Sequence, residues 1–158
     1  MGNTATTATG KATGHGWWHR LVRVLTGGYP GDYVGTPAMD YSPVADGRPD
    51  PGEIVWTWVP FEDDHHDGKD RPVLLVGRDG RWLLGLMLTT KVRTGQPGGR
   101  PPRGRVAIGT GPWDRQRRPS EVRVDRIIRV NPRRIRREGA TLDAERFAAV
   151  VDGVHQHR

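Results

Sequence analysis

The chain has 158 residues, a net charge of +7, 34% apolar residues and no cysteine. This length suits one domain with a modest core, and the lack of cysteine excludes disulfides, thiolate catalysis and cysteine-based zinc sites. No apolar run approaches the ~18 residues of a membrane helix, and the N-terminus lacks a secretory apolar region, so we expect a soluble, cytoplasmic protein with no transmembrane segment.

The positive charge is unevenly distributed along the chain. Residues 1–91 are slightly acidic, whereas residues 92–158 hold the basic excess, all of it arginine. Concentrated positive charge favours a polyanion such as nucleic acid as a partner, through long-range attraction to phosphates. The alternative is compositional, because arginine in place of lysine often reflects a GC-rich genome.

The first 51 residues predict a tail, a short helix and a connecting segment. Residues 1–16 are rich in Thr, Ala and Gly and predict a disordered tail. Residues 17–25 (WWHRLVRVL) have the apolar spacing of an amphipathic helix that docks on the domain or binds a membrane surface or partner. Residues 29–51, rich in Pro, Gly and Asp, predict a linker or a strap lying over the domain. The N-terminal region is therefore expected at 17–51 and the folded domain at 52–158.

Beyond residue 52 the apolar periodicity changes to that of strands. Alternating or continuous apolar runs predict strands at 53–59, 73–76, 82–90, 106–108 and 121–130. A polar loop is expected at 61–70 and a helical turn at 132–137, capped by Asn131. Asp143 is expected to cap a final helix at 144–154. About five strands and one helix predict a small β-barrel of the α+β, mostly β class.

Three segments in order carry a family resemblance. GEIVW opens the domain at Gly52, RPVLLV follows at Arg71, and an apolar strand ends in Thr89-Thr90. This layout over residues 52–154 resembles the PemK/MazF family of type II toxin–antitoxin endoribonucleases. The resemblance implies a small SH3-like β-barrel of the PemK/MazF/CcdB type with a C-terminal helix. It also implies a homodimer restrained by a cognate antitoxin.

The activity implied by the resemblance is growth-inhibiting, metal-independent cleavage of single-stranded mRNA by attack of a 2′-OH. Such cleavage needs a base for the 2′-OH proton, an acid for the leaving oxygen, and donors for the phosphoryl charge. Because the RNA supplies the nucleophile, no metal site and no cofactor are expected.

Arg71 and the two threonines are the first candidates for that chemistry. Pro72 biases Arg71 toward an extended backbone at the mouth of a strand, and a planar guanidinium suits phosphate. The alternatives are an arginine that caps a sheet edge and threonines that only pack in a strand. The resemblance implies that Arg71 is catalytic and that Thr89 contacts the phosphate, with Thr90 close behind.

Arg123 and Asp125 are expected on one face of a strand, opposite the flanking valines. Such a pair is most often an ion pair worth under about 1 kcal/mol. The resemblance implies a different use, with Asp125 as the base and Arg123 as acid or phosphate stabiliser.

The remaining candidates lie in two loops. The acidic loop at 62–67 contains His65 and His66; it predicts a solvated turn, with a metal site as the alternative, and the resemblance implies that one histidine helps catalysis. We also expect substrate contacts from basic residues in or near the loops: Lys69, Lys91, Arg100, Arg103 and Arg105. The acidic loop departs from the Gly- and Gln-rich loop of the family.

Two rival functions share the expected fold. One is a non-catalytic binding module, for which the acidic loop would be the signature. The other is a gyrase-poisoning toxin of the CcdB type, which has no need for Arg71. Fold alone does not decide between them.

The paired tryptophans at 17–18 yield the first prediction. A nine-residue helix is too short to be stable alone, and each tryptophan can bury ~150–250 Å², so the segment must pack on something. Deleting residues 1–28 should lower the melting temperature and increase the binding of a dye specific for apolar surface. An unchanged melting temperature, together with lost binding to antitoxin or lipid, would make the segment a docking helix instead.

Overall fold

A computed structural model describes residues 28–90 and 101–158, with the backbone alone described at 137–139. The chain divides into two compact units, Met1–Pro30 and Gly31–Arg158, and all elements below belong to the second. The tail predicted at 1–16 and the helix predicted at 17–25 lie outside the described residues, as do Lys91 and Arg100.

The described residues form seven strands, a 3-10 turn and a C-terminal helix. These are β1 (Glu53–Pro60), β2 (Gly68–Asp79), β3 (Trp82–Thr89), β4 (Arg105–Gly109), β5 (Ser120–Arg123), β6 (Ile128–Val130), the turn Pro132–Arg134, β7 (Arg137–Thr141) and α1 (Ala144–His157). The strands predicted at 53–59, 82–90 and 106–108 are confirmed to within one residue at each end.

The 3-10 turn and the C-terminal helix begin at the predicted N-caps. Asn131 caps the 3-10 turn by accepting a hydrogen bond from the Arg133 amide, and Asp143 caps α1 by accepting one from the Arg146 amide at 2.9 Å. The turn predicted at 132–137 ends at Arg134, because Arg137 already pairs with β1 as the first residue of β7. The helix continues beyond the predicted end, to His157.

The strands form one curled antiparallel sheet in the order β4-β5-β3-β2-β1-β7, and β6 pairs with β3. The predicted α+β, mostly β class with a C-terminal helix is therefore confirmed, and the sheet curls into a half-barrel. Among the described residues, no helix has the length and apolarity needed to cross a membrane.

Three strand predictions were wrong, each because strand pairing overrode local composition. β2 begins at Gly68, inside the predicted polar loop, because residues 68–71 pair with the second half of β1. β7 was not predicted, since REGAT is polar, but its backbone completes the free edge of β1. The predicted strand at 121–130 is broken into β5 and β6.

The break between β5 and β6 is a register change against β3. Gly85 of β3 pairs with Ile128, and Leu88, three residues further on, pairs with Val122. The opposite chain covers six residues over the same stretch, so part of it must bulge out of the ladder. That bulge carries Arg126, whose side chain binds Asp32 at 2.7 Å and the Pro60 carbonyl at 2.8 Å.

The sheet buries apolar side chains on both faces. Even-numbered residues of β1 to β3, such as Ile54 and Leu74, pack with Phe147 and Val150 of α1 in one cluster. Odd-numbered residues, such as Val55 and Val73, form a second cluster. β1 is accordingly buried on both faces, as its continuous apolar run predicted.

Residues 31–51 form a strap over the sheet. The Tyr33 amide donates to the Ile127 carbonyl at 2.8 Å, and the Asp40 amide to the Val76 carbonyl at 2.9 Å. The Tyr41 hydroxyl donates to the Leu142 carbonyl at 2.7 Å, and its ring lies 5.1 Å from that of Phe147. Of the two interpretations of this segment, linker or strap, these contacts support the strap.

The Tyr41 hydroxyl provides a test of how the strap contributes to stability. Tyr41→Phe keeps the ring contact but leaves the carbonyl of buried Leu142 without this donor, so we expect a loss of about 1 kcal/mol in the free energy of unfolding. Urea denaturation measures it. Val44→Thr, at an exposed strap position, is the control and should change stability by less than about 0.5 kcal/mol. Equal free energies of unfolding for Tyr41→Phe and the parent would show that the Tyr41 hydroxyl does not contribute to stability.

Candidate active site

The candidate site lies where the sheet forks. The pairing of β2 with β3 ends at the partners Val73 and Met87. Beyond that pair β2 continues on β1 as far as Gly68, whereas β3 passes to β5 through Leu88 and Thr89. A pocket of about 330 Å³ opens between the branches. Its lining comprises Trp56, Asp70, Arg71, Pro72, Met87, Leu88, Thr89, Thr90, Arg105, Trp113, Asp114, Arg118, Ser120 and Arg123.

Arg71 and Thr89 stand on opposite branches of the fork. Each lies two residues beyond the Val73–Met87 pair, so strand alternation places both on one face of the sheet. Both are half-buried. Arg71 forms no ion pair with any residue in the described ranges, which leaves its guanidinium available to an anion.

The other three arginines of the pocket are paired with carboxylates. Arg105 contacts the buried Glu121 at 3.2 Å, and Arg118 contacts Asp114 at 2.8 Å. Arg123 contacts both Asp125, at 2.5 Å, and Glu62 of the acidic loop, at 2.6 Å. Their charge is balanced within the protein, in contrast to that of Arg71.

Arg123 and Asp125 form an ion pair, but the prediction that they share a strand face was wrong, because β5 ends at Arg123 and Asp125 lies in the bulge beyond it. The hydrogen bonds that Arg123 donates to Asp125 raise the pKa of the arginine despite partial burial, with a further contribution from Glu62. Burial acts to raise the pKa of Asp125, but the hydrogen bond and positive charge of Arg123 outweigh it and lower that pKa. Arg123 lines the pocket; Asp125 does not.

The structure places the loop candidates outside the pocket. His65 is half-buried and His66 is exposed; Lys69 is exposed, with its ammonium 6.0 Å from the centre of the Phe61 ring. Arg103 is exposed as well. None of the four lines the pocket, whereas Thr90 and Arg105 do.

The acidic loop is organised by its own backbone contacts. Asp64 accepts a hydrogen bond from the His66 amide at 2.8 Å, and Asp67 accepts one from the Gly68 amide at 2.8 Å. Across the described ranges, no three His, Asp or Glu side chains are arranged to hold a metal ion.

Comparison with known proteins places the chain in a family. Residues 50–157, more than half of the chain, match the family described as PemK-like, MazF-like toxin of type II toxin-antitoxin system. The chain belongs to this family. No curated protein sequence matches it significantly.

Solved structures of similar fold include a mycobacterial endoribonuclease in complex with its cognate antitoxin. This endoribonuclease is 14% identical to the present chain, with a TM-score of 0.50, and the match covers 69% of this chain and 93% of that chain. The Mycobacterium tuberculosis toxin MazF-mt6 is 21% identical with a TM-score of 0.45, covering 66% and 94%. MazE-MazF from Deinococcus radiodurans is 21% identical with a TM-score of 0.49, covering 70% and 96%. The first of these supports the fold assignment.

In this PemK/MazF-like toxin, residues of β1 and of the loop between β4 and β5 also line the pocket. The sequence analysis did not predict them. Trp113 is buried; its indole donates to the Ser120 hydroxyl at 3.0 Å, and its carbonyl accepts from Trp56 at 3.3 Å. Gly111 permits this packing, because a Cβ there would lie 2.1 Å from the Trp113 ring. The Asp114–Arg118 spacing of four residues was the one signal in the sequence for this part of the site.

Asp114 stabilises the loop that walls the pocket. Its carboxylate accepts hydrogen bonds from the Arg118 guanidinium at 2.8 and 2.9 Å and from the Arg118 amide at 2.9 Å. The side-chain bond, followed by the backbone bond, lowers the pKa of Asp114 to about 2.

This lowered pKa predicts a defined acid dependence. The stabilisation that Asp114 contributes should be complete above its unfolded pKa of 3.8 and be lost as the pH falls toward about 2. Melting temperatures of the parent and Asp114→Asn should therefore differ above pH 4 and converge near pH 2. Asp63→Asn, in the exposed acidic loop, is the control. A constant difference across this range would contradict the assignment.

Proposed function

We propose that this toxin is a metal-independent endoribonuclease that cleaves single-stranded mRNA by attack of a 2′-OH on the adjacent phosphate. The observation that carries the proposal is Arg71, the pocket arginine with no ion pair among the described residues, placed across the fork from Thr89. A planar guanidinium offers parallel donors to two phosphate oxygens, and an unpaired one binds the phosphate without first breaking an internal ion pair.

In this proposal most of the rate enhancement comes from donors at the developing charge. Arg71 binds the scissile phosphate from one branch of the fork, and the hydroxyls of Thr89 and Thr90 approach from the other. As negative charge accumulates on the phosphoryl oxygens, these donors strengthen their contacts in a partly water-excluded pocket, which is typically the largest single contribution to such reactions. Arg105 is held at the pocket by Glu121 and adds to the positive field.

Arg123 and Asp125 enter the proposed reaction as a pair. With the ion pair intact, the lowered pKa of Asp125 leaves it little basicity near neutral pH. A bound phosphate competes with Asp125 for Arg123 and would release the carboxylate to take the 2′-OH proton. The 2′-oxygen then bonds to phosphorus as the P–O5′ bond breaks, and Arg123 stabilises the charge on the leaving 5′-oxygen, which takes a proton from solvent. Lys69, His65 and His66 are proposed to contact RNA beyond the cut site, together with Lys91, Arg100 and Arg103.

The proposed partners follow from the family. A toxin of a type II system is restrained by an antitoxin, and the mycobacterial endoribonuclease of similar fold is in complex with its cognate antitoxin. We propose a cognate antitoxin, a homodimer and a cytoplasmic location for this chain as well.

One observation favours a second candidate, a catalytically inactive binding module. Glu62 of the acidic loop occupies a donor of Arg123 at 2.6 Å, inside the charge system of the pocket. A phosphate must displace this carboxylate as well as Asp125, so the loop opposes RNA binding at Arg123. Removal of the Glu62 charge by Glu62→Gln should accelerate cleavage if the enzyme is active, and should leave an inactive module inactive.

Substitution of Arg71 tests the proposed enzyme. Arg71→Ala should lower the rate of single-stranded RNA cleavage by about 10²–10³-fold, the usual effect of removing one donor from the developing charge. Arg71→Lys should recover little of it, because lysine lacks the bidentate geometry. Primer extension on RNA treated in the presence of EDTA measures cut sites and rate.

Arg81→Ala is the matched control, since Arg81 lies exposed at the β2–β3 turn, and it should cut as the parent does. Equal melting temperatures show that the fold is retained. Parent-like cleavage by Arg71→Lys would remove the bidentate role, and parent-like cleavage by Arg71→Ala would overturn the proposal. Growth arrest that survives Arg71→Ala, without new RNA ends, would point to the CcdB-type alternative.

A further inference from the structure

A second basic pocket lies at the edge of β1, beside the candidate active site. It has a volume of about 430 Å³ and is lined by Trp58, Arg133, Arg134, Ile135 and Arg136. Trp58 is two residues from Trp56 on β1, so both side chains leave the face of the sheet that carries Pro72 and Asp70, opposite to that of Arg71. Trp56 lines the candidate active site and Trp58 lines the second pocket.

The backbone around the three arginines is fixed to β1. The Arg136 amide donates to the Trp56 carbonyl at 2.9 Å, and the Thr57 hydroxyl donates to the Arg134 carbonyl at 3.4 Å. Asn131 caps the 3-10 turn that carries Arg133 and Arg134. The second pocket is thus a built surface, held against the same strand that walls the first.

Trp58 presents a half-exposed indole at this pocket. Its ring lies against the backbone of Gly68, where an added Cβ would be 2.3 Å from the Val59 carbonyl oxygen and 2.7 Å from Trp58 Cε2. Glycine at this position therefore permits the indole to pack on β2 while part of the ring stays accessible. An accessible aromatic ring beside cations is the combination on which single-stranded nucleic acids stack.

The charges around the second pocket favour an anion. Arg133 and Arg134 are exposed, and within the described ranges their guanidinium groups form no ion pair. Arg136 contacts Asp70 at 3.2 Å. Asp70 also lines the candidate active site, so this ion pair joins the two pockets and balances the carboxylate that would otherwise repel a phosphate passing between them.

We propose that the second pocket is a subsite for single-stranded RNA that continues from the cut site, in which a flanking base stacks on Trp58 and flanking phosphates contact Arg133 and Arg134. The proposal rests on the proposed RNA-cleaving function. Continuity with the first pocket through Trp56 and the Arg136–Asp70 ion pair, together with the two arginines without ion pairs in the described ranges, favours an RNA occupant over an acidic segment of the antitoxin, which is left as an outcome of the test.

Binding of non-cleavable oligonucleotides isolates this subsite from catalysis. The probes are fluorescein-labelled 2′-O-methyl RNAs of mixed sequence, about four and about twelve nucleotides long. Fluorescence anisotropy with the full chain should show that the long probe binds more tightly. Trp58→Ala should weaken long-probe binding by roughly fivefold to a hundredfold, as expected when one stacking interaction is removed, and leave the short probe nearly unchanged. Trp58→Phe should restore most of the affinity.

The two arginines have their own readout. Arg133→Ala with Arg134→Ala should flatten the salt dependence of long-probe affinity by about 0.7 log units for each phosphate that is no longer neutralised. This exposed pair keeps the test valid if Trp58→Ala fails to fold. Arg48→Ala, at an exposed strap position, is the matched control and should leave the slope unchanged.

The outcomes separate this subsite from the proposed function. Loss of length-dependent binding in the Trp58 and arginine variants supports the subsite, even if the parent cleaves no RNA. Equal binding of both probes by the parent, or parent-like salt slopes in the double variant, overturns it, even if Arg71-dependent cleavage is intact. Variants that weaken binding of purified antitoxin but bind the long probe as the parent does would make the pocket a protein-binding site and also overturn the proposal.

Discussion

The site depends on one constraint, namely that β3 pairs with two different partners along its length. Its first half lies between β2 and β6, and its end leaves β2 to pair with β5. Because β2 remains on β1, the sheet must open between the two branches. Arg71 and Thr89 come from different strands, and this opening brings them to one pocket. The bulge between β5 and β6 makes the change of partner possible and also supplies Arg126, which binds the strap.

Charge balance is the second organising feature of the site. Four arginines around one small pocket would repel one another, and net repulsion destabilises a compact state. Three of these arginines form ion pairs with carboxylates. The carboxylates lie on a neighbouring strand, in a local loop turn and in the acidic loop. The fourth, Arg71, has no ion pair within the described residues. An arginine in that position gains more from a bound phosphate than its paired neighbours do, because binding breaks no internal ion pair.

The acidic loop links these two features. It begins where β1 ends, and its Glu62 reaches Arg123 on β5, across the fork. A carboxylate there lowers the affinity of the pocket for anions in the resting protein. An anion that binds Arg123 must therefore compete with Glu62 as well as with Asp125.

Sequence periodicity determined much of the sheet and the C-terminal helix. Continuous apolar runs in β1 and β3 and the Asp143 cap are local signals, and each element formed where its signal predicted. Thr89 was identifiable in advance, because the end of an apolar run marks the end of β3. Arg71 was chosen as the residue at the mouth of a strand, and that placement was wrong, because β2 begins at Gly68 and Arg71 lies within it. The family resemblance added the fold type and the reason to consider these residues together.

Only the tertiary structure decided which of the pocket arginines form ion pairs within the protein and which can bind an anion. Four arginines look alike in a sequence, and the partners that distinguish them, such as Glu121 for Arg105 and Glu62 for Arg123, come from distant segments. Likewise, β7 and the start of β2 are polar stretches that became strands because β1 had unpaired backbone groups on both edges. The pocket that Trp58 forms with the arginines beside it was hidden for the same reason. Strand pairing and ion pairing join segments that are distant in the sequence, so a local sequence pattern does not predict them.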